Sequence, residues 1–170
     1  MSRDANVSMR QLLRNELCLI GFASSRRFTH PKGPSLKGSA AMLEIAHLMS
    51  PDGPKPVAPF SHAVRAGDFL FVTGQMPTVG ADNTQVVAGA IEEQTHQVMK
   101  NLQTVLESFD SALERAVHVR IYLVNFGDYE RMNAVYRTYF DPNKMPARTC
   151  IGVTGLAVGA LVEVDLIAAC

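Results

Sequence analysis

Between Ala90 and Phe109 the apolar residues Ile91, Val98, Leu102, Val105, Leu106 and Phe109 recur at helical spacing, while Glu92, Glu93, Lys100 and Glu107 take the other side. A helix with a single apolar stripe must bury it against a second layer. The next segment supplies that layer. From Val117 to Val124, the residues Val117, Val119, Ile121 and Leu123 alternate with His118, Arg120 and Tyr122, the pattern of a strand covered on one face. Asp128 is placed to cap a second helix running to about Phe140, with Met132, Val135, Tyr136 and Tyr139 inward, and Asp141-Pro142-Asn143-Lys144 stops it.

The flanks complete the pattern. Phe60 to Arg65 and Phe69 to Thr73 surround the turn Ala66-Gly67-Asp68 and predict a hairpin, with Gly74-Gln75-Met76-Pro77 ending its second strand. Residues 78–89 read as loop with room for a short strand at Val86-Val87, and Arg148 to Val153 and Leu161 to Ala169 predict the last two strands. The order β-β-loop-α-β-α-β-β defines an α+β protein, a mixed sheet with two helices packed on one face. No Gly-x-Gly-x-x-Gly follows a strand and no phosphate loop is present, which excludes a dinucleotide or P-loop domain.

The 170 residues suffice for one domain with a buried core. Charge divides it unevenly. Residues 1–41 carry seven basic and two acidic side chains, a net +5, and the remaining nine basic and fourteen acidic residues leave the body at −5. An acidic body is a poor nucleic-acid binder. We assign residues 49–170 to the folded domain and residues 1–48 to an N-terminal extension. Three readings of its first part stay open: an Arg- and Ser-rich amphipathic leader of the transit-peptide type, built on Met9, Leu12, Leu13, Leu17 and Ile20; a disordered segment ahead of a functional start near Met42 or Met49; or a packed element. No apolar run approaches the roughly 20 residues that span a bilayer. Cys18, Cys150 and Cys170 are odd in number and far apart, so a reducing compartment is expected, the cytoplasm, or the mitochondrial matrix if the leader is a transit peptide. His30, His47, His62, His96 and His118 form no ligand spacing, and no metal is expected. His96 and His118 fall on exposed faces, whereas His62 shares a strand face with Phe60.

Chemistry concentrates near the C-terminus. In Pro146-Ala147-Arg148-Thr149-Cys150 an arginine opens a strand just after a proline, a placement that offers a planar fork of donors to a carboxylate. Fifteen positions later Glu163 stands between Val162 and Val164, so alternation gives its carboxylate the face opposite to theirs. A guanidinium and a carboxylate from neighbouring strands are expected to converge on one small pocket, where the carboxylate orients water or shuttles a proton. Cys150 lacks a histidine at partner spacing and is read as a small buried residue, without a covalent role.

Five motifs in order, Ala58-Pro59-Phe60-Ser61, Val72-Thr73-Gly74-Gln75, Asn133-Ala-Val-Tyr136 through Tyr139-Phe140, Pro146-Ala147-Arg148-Thr149-Cys150 and Val162-Glu163-Val164, make residues from about Val57 to Ala169 resemble the reactive intermediate deaminase (YjgF/RidA-like) family. The resemblance implies a chorismate-mutase-like fold, a homotrimer with a central barrel-like core and a cleft at each subunit interface. It implies cofactor-free hydrolysis of reactive 2-imino or 2-enamino acids, of the 2-iminobutanoate and 2-iminopropanoate type, to 2-oxo acids and ammonia. By position, Arg148 would hold the substrate carboxylate, Glu163 would orient the attacking water, and Gly74, Cys150 and Asn133 would line the cleft. Phe60 and Thr73 stand at substrate-binding positions where family members commonly have tyrosine and serine. Because of these departures, two alternatives accompany the expected activity: a non-catalytic trimer that senses 2-oxo acids, and a deaminase of a larger enamine of the aminomuconate type.

Overall fold

A computed structural model of the chain describes residues 42–80, 82 and 84–170. The expectations for residues 1–41 lie outside the described residues. The chain runs through β1 (Ile45–Leu48), β2 (Ala63–Ala66), β3 (Phe69–Gln75), β4 (Thr78–Val79), β5 (Gln85–Val86), α1 (Ile91–Glu107), β6 (Ala116–Leu123), α2 (Tyr129–Tyr136), β7 (Ala147–Gly152) and β8 (Val162–Ala169). Six strands form one mixed sheet in the order β1-β2-β3-β8-β6-β7, and β4 pairs with β5 alone. Every neighbour in the large sheet is antiparallel except β6 and β7. A parallel pair needs a crossover, which α2 supplies.

The α+β reading stands, with corrections at the edges. The sheet begins at Ile45, inside the stretch assigned to the extension: β1 pairs with β2 from Ile45↔Ala66 to Leu48↔Ala63. A four-residue edge strand with two large apolar side chains leaves almost no periodic trace. The second helix is shorter than expected, tightening at Arg137–Tyr139 into a 3-10 turn.

The apolar stripe of α1 buries Ile91, Val98, Leu102, Val105 and Leu106 against Leu70 and Val72 of β3, Val119, Ile121 and Leu123 of β6, and Val164 and Leu166 of β8. Met132 and Tyr136 of α2 join the same core. The Ala90 amide donates to Glu93 Oε2 at 2.8 Å, answering one of the orphan donors at the start of α1. At the other end Asp110 takes a left-handed φ of 58°, and the Ser111 amide reaches back to Leu106 O at 3.0 Å.

The sheet therefore has a covered face and an open one. Register fixes both: Leu48, Ala63, Val72, Leu166, Val119 and Arg148 lie in one cross-strand row, and Glu163, Tyr122 and Ile151 in another of opposite parity. Ile45, Phe69, Phe71 and Ile151 on the open face are each more than two-fifths exposed.

Candidate functional site

The structure overturns the expectation that Arg148 and Glu163 meet in one pocket of one chain. β6 lies between β7 and β8, so the two strands are not neighbours. Arg148 pairs with Val119 and Glu163 with Tyr122, three residues apart on β6, so their side chains leave opposite faces of the sheet. The site residues fall into two half-sites.

Arg148 heads the first half-site, on the helix-covered face. Its Nη1 donates to Asn133 Oδ1 at 2.6 Å and its Nη2 to the Tyr129 hydroxyl at 2.9 Å. The guanidinium carbon lies 5.0 Å from the centre of the Tyr136 ring and 5.7 Å from that of Tyr129. Tyr129, Asn133 and Tyr136 fall at i, i+4 and i+7 of α2, one helix face turned to one side chain. Sequence reasoning reached Asn133 but not the two tyrosine partners, although that spacing was the available signal. No carboxylate among the described residues pairs with Arg148. Such a half-buried guanidinium, fixed in angle and with N–H donors left over, has the geometry that suits an external carboxylate. Cys150 follows two residues on, on the same face of β7, packed against the core. Burial pushes its thiol above the usual range, with the Arg148 charge opposing, which disfavours a thiolate.

Glu163 heads the second half-site, on the open face. The β3–β8 register shifts between Val72 and Gln75, and there Gly74 comes so close to Glu163 that a Cβ at Gly74 would overlap the carboxylate. Glycine is needed at 74 for that approach. Burial, and secondarily the Asp165 charge, raise the Glu163 carboxyl above its ordinary value. Asp165 is itself held at both oxygens, by Arg120 Nε at 2.7 Å and by the Tyr122 hydroxyl at 2.9 Å. Burial first and that bond to Asp165 next push the Tyr122 hydroxyl up. Arg120, Tyr122 and Asp165 were missed as a unit because their contact depends on which strands are neighbours. Among the described residues nothing donates a hydrogen bond to Glu163, leaving its oxygens for water.

Two other residues behave differently from their sequence reading. The Thr73 hydroxyl donates to Ser61 O at 2.6 Å, so its proton is committed to the backbone. His62 is buried away from any cleft role: Nδ1 accepts from the Ser50 amide at 2.8 Å and Nε2 contacts Pro54 O at 2.7 Å, which pins the segment 51–59 with its four prolines ahead of β2. Phe60 precedes β2 and is 37% exposed. Among the described residues no group of three or more His, Cys, Asp or Glu side chains could hold a metal ion, and no helix is long and apolar enough to cross a membrane.

Fold and side-chain placement define a small α+β protein with an arginine that no described carboxylate pairs on one sheet face and a raised-pKa carboxyl on the other. Comparison narrows the class. The family model described as Endoribonuclease L-PSP matches residues 50–170. A RutC family protein of Saccharolobus solfataricus is 40% identical over 127 residues, covering 75% of this chain and 98% of that relative. Protein HMF1 of Saccharomyces cerevisiae is 39% identical over 125 residues, covering 74% and 95%. Among solved structures, the conserved Rid family protein YyfA of Yersinia pestis superposes with a TM-score of 0.70 at 30% identity, covering 75% of this chain and 100% of the other. The chain belongs to this Endoribonuclease L-PSP family, the YjgF/RidA family.

Proposed function

We propose that the protein is a cofactor-free hydrolase of 2-imino and 2-enamino acids, and that it works as a homotrimer. In each cleft the Arg148 half-site of one subunit faces the Glu163 half-site of the next. The observation that carries this reading is the pairing of opposites across the sheet: among the described residues, a guanidinium without a carboxylate partner on one face, and a raised-pKa carboxyl with no hydrogen-bond donor on the other. Neither half completes the chemistry alone. Ile45, Phe69, Phe71 and Ile151 give the open face the apolar surface that a second subunit would cover.

In this reading Arg148 grips the substrate carboxylate and fixes the C=N bond against Glu163 of the neighbouring copy. Water adds to the carbon of the protonated imine as the Glu163 carboxylate takes a proton from it, and the C=N electrons become the nitrogen lone pair. The carbinolamine then collapses: Glu163 returns its proton to nitrogen, the C–N bond breaks as the hydroxyl oxygen forms the C=O bond of the 2-oxo acid, and Glu163 takes the hydroxyl proton and passes it to the leaving ammonia, which departs as ammonium. A carboxyl raised toward working pH suits both directions of transfer. The free thiols of Cys150 and Cys170 suit a reducing setting, the cytoplasm or the mitochondrial matrix.

The test is imine generated in situ by a threonine dehydratase, followed by its rate of loss and by ammonia release. Acceleration by the wild type that disappears in Arg148→Ala supports the proposal; an undiminished rate in that variant refutes it. A second reading, a non-catalytic sensor of 2-oxo acids, is favoured by Phe60, which has no hydroxyl, and by the committed Thr73 proton. Phe60→Tyr and Thr73→Ser assayed beside the wild type separate the two. Silence in all three with 2-oxo acid binding retained favours the sensor.

A further inference from the structure

The Arg148 half-site opens onto more room, and more charge, than one small acid uses. A cavity of about 300 Å³ is lined by Asn133, Tyr136, Arg137, Met145, Pro146 and Arg148. In the single chain, before a neighbour's Glu163 takes its share, that space is more than a three- or four-carbon acid fills. Two of its walls are cationic. Arg137 sits in the turn that follows α2, and its Nε donates to Asn133 O at 3.2 Å, the residue whose side chain also holds Arg148. Among the described residues neither arginine forms an ion pair. Met145, Pro146 and Tyr136 supply apolar wall in the same cavity.

Two arginines and apolar lining in one pocket match a short carbon chain with an acid at each end. We propose that this pocket selects imino and 2-oxo acids bearing a second carboxylate, the class derived from acidic amino acids. The 1-carboxylate lies on Arg148 and the distal one on Arg137. The inference rests on the reading of Arg148 as the carboxylate clamp and adds Arg137 as the specificity residue. Arg137 is exposed, so its contribution is screened and modest, and it weakens with salt.

The test uses full-length protein and two 2-oxo acids of equal chain length, 2-oxoglutarate and 2-oxopentanoate, titrated calorimetrically. The wild type is expected to bind 2-oxoglutarate about fivefold to tenfold more tightly, a preference that shrinks in 1 M salt. The ratio should fall to about one in Arg137→Gln, stay above one in Arg137→Lys, and invert in Arg137→Glu. Equal affinities in the wild type, or a preference that survives Arg137→Gln, overturn the proposal while leaving the clamp standing. Binding of both acids untouched by Arg148→Ala, or absent from the wild type, removes the clamp and this proposal with it.

Discussion

Because one chain sends Arg148 and Glu163 to opposite faces, two inactive variants should rescue each other. Arg148→Ala removes a charged two-pronged contact; at roughly 1.5–3 kcal/mol per charged hydrogen bond the loss is about 3–6 kcal/mol, a rate drop of at least about a hundredfold. Glu163→Gln removes the group that moves the proton, worth a similar factor. When the two variants are mixed by refolding together, half of the clefts receive an intact Arg148, and half of those face an intact Glu163. About one quarter of wild-type imine hydrolysis should return, and the fraction is the same for a dimer as for a trimer with clefts between neighbours. Wild type refolded with an equal amount of the double variant gives the converse: about a quarter of full activity if the groups come from different chains, about a half if they come from one. Mixing that leaves the rate at the sum of the two single variants would refute the split site.

Gly74→Ala drives a methyl into the Glu163 carboxylate, the mobile end of a side chain, so the carboxylate swings away and the fold holds. The expected outcome is a kcat lowered about tenfold or more with stability changed by less than about 1 kcal/mol, read by kinetics beside thermal melts. The raised Glu163 carboxyl also sets a pH signature. Below the unfolded pKa both states are protonated and no penalty exists; as pH rises, the unfolded chain releases its proton first, and folding stability falls until the folded pKa is passed. Glu163→Gln should melt higher than wild type at pH 7, with the difference closing toward pH 4. Tyr136 buries a hydroxyl that has no hydrogen-bond partner among the described residues, and burial pushes its pKa up to about 12 against the lowering pull of Arg148. Tyr136→Phe should stabilise the protein by about 1 kcal/mol, roughly 3 °C in Tm, and a lower Tm would show that the hydroxyl is satisfied.

Periodicity made the layers legible. The stripe from Ile91 to Leu106 and the alternation from Val119 to Leu123 state, without any contact being known, that helices cover one sheet face. Arg148 and Glu163 were legible as chemistry because an arginine beside a proline-fixed strand start and a glutamate between valines are unusual places for charge. Their relation was not legible. It depends on β6 lying between β7 and β8 and on a parity of register that a shift of one residue would reverse. His62 was misplaced for a related reason: the run from Phe60 reads as strand, but β2 starts at Ala63, and the imidazole turns to Ser50 and Pro54 instead. Asp165 and Tyr122 stand on different strands and came together only with the pairing of β6 and β8.

That parity has a consequence for how such a site is switched on. Glu163 shares the open face with Phe69, Phe71 and Ile151, so whatever covers the apolar side chains also withdraws water from the carboxyl. Its pKa is raised already in the single chain by burial and by Asp165. Covering it further strengthens the first cause, while the arrival of a neighbour's Arg148 would pull the other way. In the proposed trimer the carboxyl would be tuned by assembly on top of what its own strand does, and the same contact that hides the apolar face would bring the clamp. In the proposed trimer, subunits that separate would lose the clamp, that added tuning and the cover in one step.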